Sequence, residues 1–473
     1  MNRKFTRCLL VALMFSSPTL ALAQGDVSWW LTNPDRSALF QSQRPALRFS
    51  KPAADAAGSG GETVIEVDDE KTFQSMDGFG FALTGGSAQL MMRMDPAKRA
   101  ALLTELFAVD GNNIGVSYLR VSVGASDMND HVFSYDDMPA GQTDPTLAKF
   151  SLDPDRADVI PVLKEILRID PKIKILASPW SAPAWMKTND GVKGGDLRHE
   201  FYEAYANYLA KYIKGMKAEG IVIDAITLQN EPLNEKNTPS MQMLAADQAV
   251  FIRDHVGPLF RKEGIRTKVI LYDHNCDVPE YPLTILKDAA ASKYVDGSGF
   301  HLYGGKITAM SEVHDQFPGK NLYFTEQMVV DRKNSDLMTV ASPVSWIVIG
   351  ATRNWSRNVL LWNLAADQNF GPHTNDGGCP ICQGAITIDG NSVTRNLAYY
   401  TIAHEAKFVR PGSVRIASSD LGTLPNVAFR TADGKRVLVV ANTGDGSQTF
   451  RVRYRGSEFA ASLMAGAVGT YIW

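Results

Sequence analysis

Glu231 stands in Gln229-Asn230-Glu231-Pro232, directly after the apolar run Ala225–Leu228, and Glu326 directly follows the run Leu322–Thr325. Similar runs end in Arg120, Ser122 and then Asp127, in Ser178-Pro179-Trp180, in Asp273-His274, in His301-Leu302-Tyr303 and in Trp362-Asn363. Two carboxyl groups facing one another between aromatic walls suit hydrolysis of a glycosidic bond. One carboxylic acid protonates the departing oxygen while the other carboxylate attacks the oxocarbenium-like carbon. Aromatic rings cover the apolar C–H faces of a sugar, and its hydroxyls need the donors and acceptors of Asp, Asn, Arg and His. A barrel that only bound glucan, the non-enzymatic alternative, has no need of both carboxylates or of the Asn before Glu231.

For these side chains to meet, the runs that precede them must be neighbours in space. Eight short β-type runs occur: Gly78–Leu83, Val116–Val121, Ile173–Ala177, Ala225–Leu228, Val269–Tyr272, Gly297–Phe300, Leu322–Thr325 and Val359–Leu361. Helix-like segments lie between them, among them Pro96–Phe107, Val159–Arg168, Phe201–Lys217, Met241–Arg261 and Pro343–Asn354. This alternation predicts an α/β fold, a (β/α)8 TIM barrel, because each parallel strand needs a crossover and eight strands close the sheet. Its strand ends converge on one mouth. From about Lys407 short strands (Val414–Ser418, Val427–Arg430, Val437–Asn442, Phe450–Tyr454, Ala467–Trp473) are separated by turn signals such as Asp433-Gly434. They predict an attached antiparallel β-sandwich that also recruits the pre-barrel strand Thr63–Val67.

The 473 residues are 45% hydrophobic and 21% charged, with a formal net charge of −3. That supports a large core and gives no basic face for nucleic acid. No run approaches the roughly 20 apolar residues of a transmembrane helix. Arg3, Lys4 and Arg7, then Leu9–Phe15, then Ala21-Leu22-Ala23 form the pattern of a signal peptide cleaved near Ala23, which predicts export to the periplasm or beyond. Lys51–Gly61 has a linker composition. The expected divisions are 1–23 as signal peptide, 24–72 as extension, linker and sandwich strand, 73–406 as barrel and 407–473 as sandwich.

Only Cys276, Cys379 and Cys382 follow the leader, too few for a disulfide framework. Cys379-Pro380-Ile381-Cys382 has no second pair for zinc, which leaves a short-loop disulfide or two buried thiols. Asp273, His274 and His301 read as mouth residues rather than metal ligands. Trp29-Trp30 read as packing against the sandwich. Gly78-x-Gly80 lacks the third glycine of a dinucleotide fingerprint, and no Gly-x-Ser-x-Gly elbow occurs. The chemistry needs no metal and no organic cofactor, and the sequence does not encode an oligomeric state.

Thr227-Leu228-Gln229-Asn230-Glu231-Pro232 resembles the acid/base segment of the clan of barrel glycosidases with catalytic glutamates after strands four and seven. Leu322-Tyr323-Phe324-Thr325-Glu326-Gln327 resembles that clan's nucleophile strand. Asp77–Thr84, Ser178–Met186 and Trp362-Asn363-Leu364 are similar to segments of glycoside hydrolase family 30. That family holds glucosylceramidases, β-1,6-glucanases and glucuronoxylan hydrolases, all retaining. The resemblance implies that Glu231 is the acid/base and Glu326 the nucleophile, with Asn230 on the sugar 2-hydroxyl and Arg120 and Tyr303 orienting Glu326. It also implies that Asp127, Trp180 and Trp362 bind the first glucose and that His301 lines the same wall. The chain departs from the glucosylceramidase-like His-Trp-Tyr with His301-Leu302-Tyr303, and its sandwich offers no cluster for a uronate. Gly377-Gly378-Cys379-Pro380-Ile381-Cys382-Gln383-Gly384 resembles a loop of the β-1,6-glucanases. The substrate expectation is therefore a β-1,6-glucan, with glucosylceramide as the alternative. Mechanistically, ionised Glu326 is expected to raise Glu231 by like-charge repulsion while Arg120 keeps Glu326 ionised.

Overall fold

The structure, a computed structural model, describes residues 25–52, 63–331 and 337–473. The expected leader and most of the expected linker lie outside these residues. Eight parallel strands close into a barrel: Gly78–Ala82, Tyr118–Val123, Lys174–Pro179, Ala225–Thr227, Lys268–Cys276, Val295–Gly305, Asn321–Glu326 and Ser356–Leu361. They are called barrel strands one to eight below. Nearly every residue in them is buried, because helices cover the outside and side chains fill the inside. No helix among the described residues is long and apolar enough to cross a membrane.

Strands five and six run further than their apolar runs. Phe300 pairs with His274 and His301 with Asn275, so Asp273, His274, His301 and Tyr303 stand within strands rather than in loops after them. The apolar pattern stops at Tyr272 and Phe300, but the backbone ladder continues, with Asp273 and His301 wholly buried and bonded to one another. The helix expected over 241–261 begins instead at Ala245 and runs, through a wider π-turn, to Glu263. Met241 and Met243 are buried, but Gln242 N donates to Gly195 O and Met243 N to Pro232 O. Neighbouring loops thus take the backbone bonds that a helix would have used.

The second module is a sheet in the order Gln41–Ser42, Asp26–Thr32, Val468–Ile472, Arg436–Ala441, Asn426–Arg430, Val414–Ser418, Thr63–Ser75, Gln448–Tyr454, Ser457–Leu463. One pairing departs from the antiparallel expectation, since Gln448–Tyr454 runs parallel to Thr63–Ser75. Asp26–Thr32 and Ser457–Leu463 are strands that the apolar pattern does not announce. The first is edged by polar residues, and the second alternates through Ala and Ser, whose burial signal is weak. Trp29 stacks on Tyr471 with centroids 6.0 Å apart, while Trp30 packs on Phe40 at 4.7 Å and on Phe408 at 5.6 Å. The wholly buried helix Leu397–Ala406 joins the two modules, its His404 bonded to Thr470 and Thr32, both at 2.8 Å.

Candidate active site

Side chains alternate across a strand, so residues two apart share a face. Tyr118, Leu176, Ala225, Ile270, Tyr323 and Leu360 form a separate apolar cluster from six of the eight strands. Two residues further along three of these strands come Arg120, Ser178 and Thr227, on the same face and fully buried. Apolar packing below removes water, and a polar layer begins above it.

Arg120 is the hub of that layer. Its Nη1 donates to Glu326 Oε2 at 2.5 Å, and its Nη2 to Asn230 Oδ1 at 2.6 Å and Asp273 Oδ2 at 2.8 Å. Nε donates to Ser178 Oγ at 3.1 Å. Asp273 Oδ2 also accepts from Thr227 Oγ1 at 2.7 Å and Ser178 Oγ at 3.0 Å, and its Oδ1 lies 3.1 Å from His301 Nε2. Glu326 Oε1 accepts from Tyr303 Oη at 2.9 Å, and that hydroxyl is itself fixed by Met328 N at 3.0 Å. Both oxygens of Glu326 are therefore held by donors. Glu231 is anchored differently: Oε2 accepts from Asn234 Nδ2 at 2.6 Å, and Oε1 lies 3.3 Å from His301 Nδ1.

The backbone at this site is strained. Glu231 has φ 47° and Asp273 φ 63°, left-handed values that L-residues seldom adopt. Such conformations cost on the order of 1–3 kcal/mol each and persist only where the surroundings enforce them. Here Glu231 N donates to Asp273 O at 2.9 Å, and Asn230 N to Pro179 O at 2.7 Å, locking strands three, four and five together.

Above the polar layer lies a cavity of about 560 Å³ lined by Asp127, Trp180, Asn230, Glu231, Glu326 and Trp362, among others. Trp180 and Trp362 stack at 5.3 Å and 30°, with the Arg120 guanidinium 4.8 Å from the Trp180 ring. Cys379 and Cys382 are joined in a disulfide at the rim. Their loop is tied to the one after strand four by Thr374 Oγ1 on Thr238 O at 2.8 Å. Gly377 is required there, because its φ is +79° and a Cβ would fall 2.5 Å from Lys236 O. A larger cavity, about 780 Å³, opens at the opposite end of the barrel, where Lys174 pairs with Asp224 and Lys214 with Glu263.

The electrostatics reverse one expectation. Burial pushes the Glu231 carboxyl up, but the hydrogen bond and charge of His301, with His274 and Asn234, outweigh it and hold Glu231 down at about 2. Glu326 goes the other way: burial lifts it above the usual range against the pull of His301 and Arg120, and the Glu231 charge adds to the lift. The reason is His301. Burial opposes its charge, but Glu326, Asp273 and Glu231 together push it up to about 9, so the imidazole carries the proton that was expected on Glu231. Burial, then the charges of Glu326 and Glu231, raise Asp127 to about 8, while Arg120 draws Asp273 far down against its burial.

The structure brings together Arg120, Asp127, Trp180, Asn230, Glu231, Tyr303, Glu326 and Trp362. His301, expected on the same wall, is wholly buried with its Nδ1 3.3 Å from Glu231 Oε1 and is not among the residues lining the cavity. Asp273 is central although it was not among the expected site residues, and the strand-end rule that found Glu326 was the signal for it. Asn234, three residues past Glu231, had no signal of its own.

A family model described as the glycosyl hydrolase family 30 TIM-barrel domain matches residues 76–409, and the family's β-sandwich domain matches residues 412–471. The chain belongs to glycosyl hydrolase family 30. It is a retaining glycosidase. It is 34% identical over 405 residues to the endo-1,6-β-D-glucanase of Neurospora crassa, covering 81% of this chain and 82% of that protein. It is 27% identical over 459 residues to the lysosomal acid glucosylceramidase of Mus musculus, covering 90% and 86%. A solved endo-β1,6-glucanase structure superposes with a TM-score of 0.87 at 34% identity, covering 95% of this chain and 99% of that one.

Proposed function

We propose that this family 30 enzyme cuts internal β-1,6-glucosidic linkages of a glucan by double displacement, with Glu326 as nucleophile and Glu231 as acid and base. The observation that carries the roles is the unequal anchoring of the two glutamates. Glu326 has a donor on each oxygen and so presents a fixed carboxylate, whereas Glu231 shares a proton with an imidazole 3.3 Å away.

In the free enzyme the Glu231–His301 pair holds one proton, resting on His301. As the glycosidic oxygen enters, that proton crosses to Glu231 and on to the leaving group while Glu326 attacks the anomeric carbon. Esterification removes the Glu326 charge, foremost among the influences raising His301. The pair then no longer favours a proton, and Glu231 stays a carboxylate able to accept one from water. That water attacks the anomeric carbon, the Glu326 ester bond breaks with retention, and the returning charge on Glu326 stabilises the proton just captured. Asn230 has its carbonyl oxygen on Arg120, so its NH2 group is the donor toward a sugar hydroxyl. Trp180 Nε1, buried with no partner among the described residues, is a second donor beside the sugar.

The higher identity to the fungal glucanase and to the solved glucanase supports a polysaccharide substrate. The cleft lining supplies polar partners for sugar hydroxyls in Asn234, Lys236, Asn237 and Asn275, beside the apolar Leu233, Met328 and Ile381. Export is supported by the basic start, apolar run and Ala21-Leu22-Ala23 at the beginning of the chain. Incubation with β-1,6-glucan, β-1,3-glucan, xylan and glucosylceramide tests the substrate. β-1,6-Linked oligosaccharides are expected early in the reaction; turnover of glucosylceramide alone would overturn the reading.

A further inference from the structure

We propose that Glu231, His274 and His301 form a site for one zinc-like divalent cation, and that the ion inhibits the enzyme by occupying its acid/base. The sequence reading takes these histidines as mouth residues, the commoner outcome at a barrel mouth. The pairing of strands five and six brings them onto one carboxylate. Glu231 Oε1 lies 3.3 Å from His301 Nδ1 and 3.8 Å from His274 Nδ1, and the three donor atoms lie within 4.8 Å of one another. Tetrahedral zinc, with bonds of roughly 2.0–2.2 Å, sets its ligand atoms a little over 3 Å apart. The observed spacing needs only small side-chain rotations to meet that demand.

Two further features point to a ligand. His274 is 7% exposed, and its Nδ1 is buried with no hydrogen-bond partner among the described residues, an uncompensated lone pair or proton facing the carboxylate. His301 presents Nε2 to Asp273 Oδ1 at 3.1 Å and Nδ1 to Glu231. That is the carboxylate–histidine relay that orients metal-binding imidazoles. Asn234 likewise fixes Glu231 Oε2 and leaves Oε1 turned to the histidines. Two imidazoles and one carboxylate favour zinc or copper over magnesium or calcium, which prefer oxygen ligands. Glu231 and His274 both line the cleft, so the fourth position opens toward it. On binding, the ion displaces the Nδ1 proton of His301 to solvent and takes the Glu231 lone pair that a proton must occupy for leaving-group departure.

The test uses chelator-dialysed full-length protein, titrated with Zn²⁺ by calorimetry and with Co²⁺ by visible absorption. One ion per chain is expected, with the intense d–d bands of tetrahedral cobalt, which zinc then bleaches. Hydrolysis of an aryl β-glucoside should fall at least tenfold at saturation and return on adding EDTA. His274→Asn should weaken zinc binding by roughly tenfold or more. The cobalt bands are read on the unaltered protein, so the test survives a variant that fails to fold. Equal zinc affinity in His274→Asn, or absence of tetrahedral cobalt, would overturn the site. The inhibition, unlike the binding, rests on the acid role of Glu231, and a filled site with full turnover would overturn both the inhibition and that role.

Discussion

Two clusters of buried charge in this chain behave in opposite ways. In the sandwich, Asp69 is 3% exposed and meets Arg436, Arg455 at 3.2 Å and the Tyr454 hydroxyl at 2.8 Å. Burial alone raises its carboxyl, but these donors and charges outweigh burial and hold it below its ordinary range. At the barrel mouth four carboxyl groups, those of Glu231, Glu326, Asp273 and Asp127, share two cations, Arg120 and His301. Not all four can be satisfied as anions, so Asp127 and Glu326 are lifted and His301 is held protonated. In the sandwich the cations outnumber the carboxylate, which stays ionised. The catalytic cluster keeps a surplus that can be moved.

Glu326→Gln should break the mouth most severely. Turnover should fall on the order of 10⁴-fold or more, since the proposed nucleophile is gone. Azide should fail to restore a product of retained configuration, which product NMR would show. Glu231→Gln should be next and more selective: substrates with good leaving groups keep the first step and accumulate glycosyl-enzyme, visible by mass spectrometry as a hexose adduct on Glu326. Normal hydrolysis of all substrates by that variant would remove Glu231 from its role.

The third test concerns pH. His301 is raised to about 9, so the Glu231–His301 pair keeps its proton below that value and loses it above. The alkaline limb of kcat/KM should therefore fall as pH rises through about 9. In His301→Gln the proton has only Glu231 to sit on, and the limb should move to lower pH; an unmoved limb would show that His301 does not store the proton.

Asp69→Asn should have the smallest effect on catalysis and a measurable one on stability. It leaves Arg436 and Arg455 without their carboxylate, at a cost on the order of 1–3 kcal/mol in denaturant unfolding. Because the folded carboxyl is depressed, its contribution is present above the unfolded pKa and fades as pH falls through the folded one. The variant should thus lose part of the acid sensitivity of unfolding while activity per folded molecule persists. A large loss of activity would erase the contrast between the two clusters.

Much of the site was legible before any coordinates. A carboxylate or aromatic within three residues after an apolar run marks the end of a barrel strand, and that rule places Glu231, Glu326, Trp180, Tyr303 and Trp362 at one mouth. It works because parallel strands buried on both faces leave continuous apolar runs, and the first polar residues after them sit where the covering stops. The apolar pattern fell short where the ladder outlasts it, since Asp273 and His301 stand inside strands rather than after them. It also failed at Asp26–Thr32, whose partner Val468–Ile472 lies at the other end of the chain.

By itself the sequence determined the alternating architecture and the placing of Glu231 and Glu326 at one mouth, since both follow from local patterning and residue type. Only the tertiary structure decided where the proton rests. Protonation depends on the summed field of every charge within a few ångströms, and the distances among Glu231, His301, Asp273, Arg120 and Glu326 arise from five different strands closing on one another.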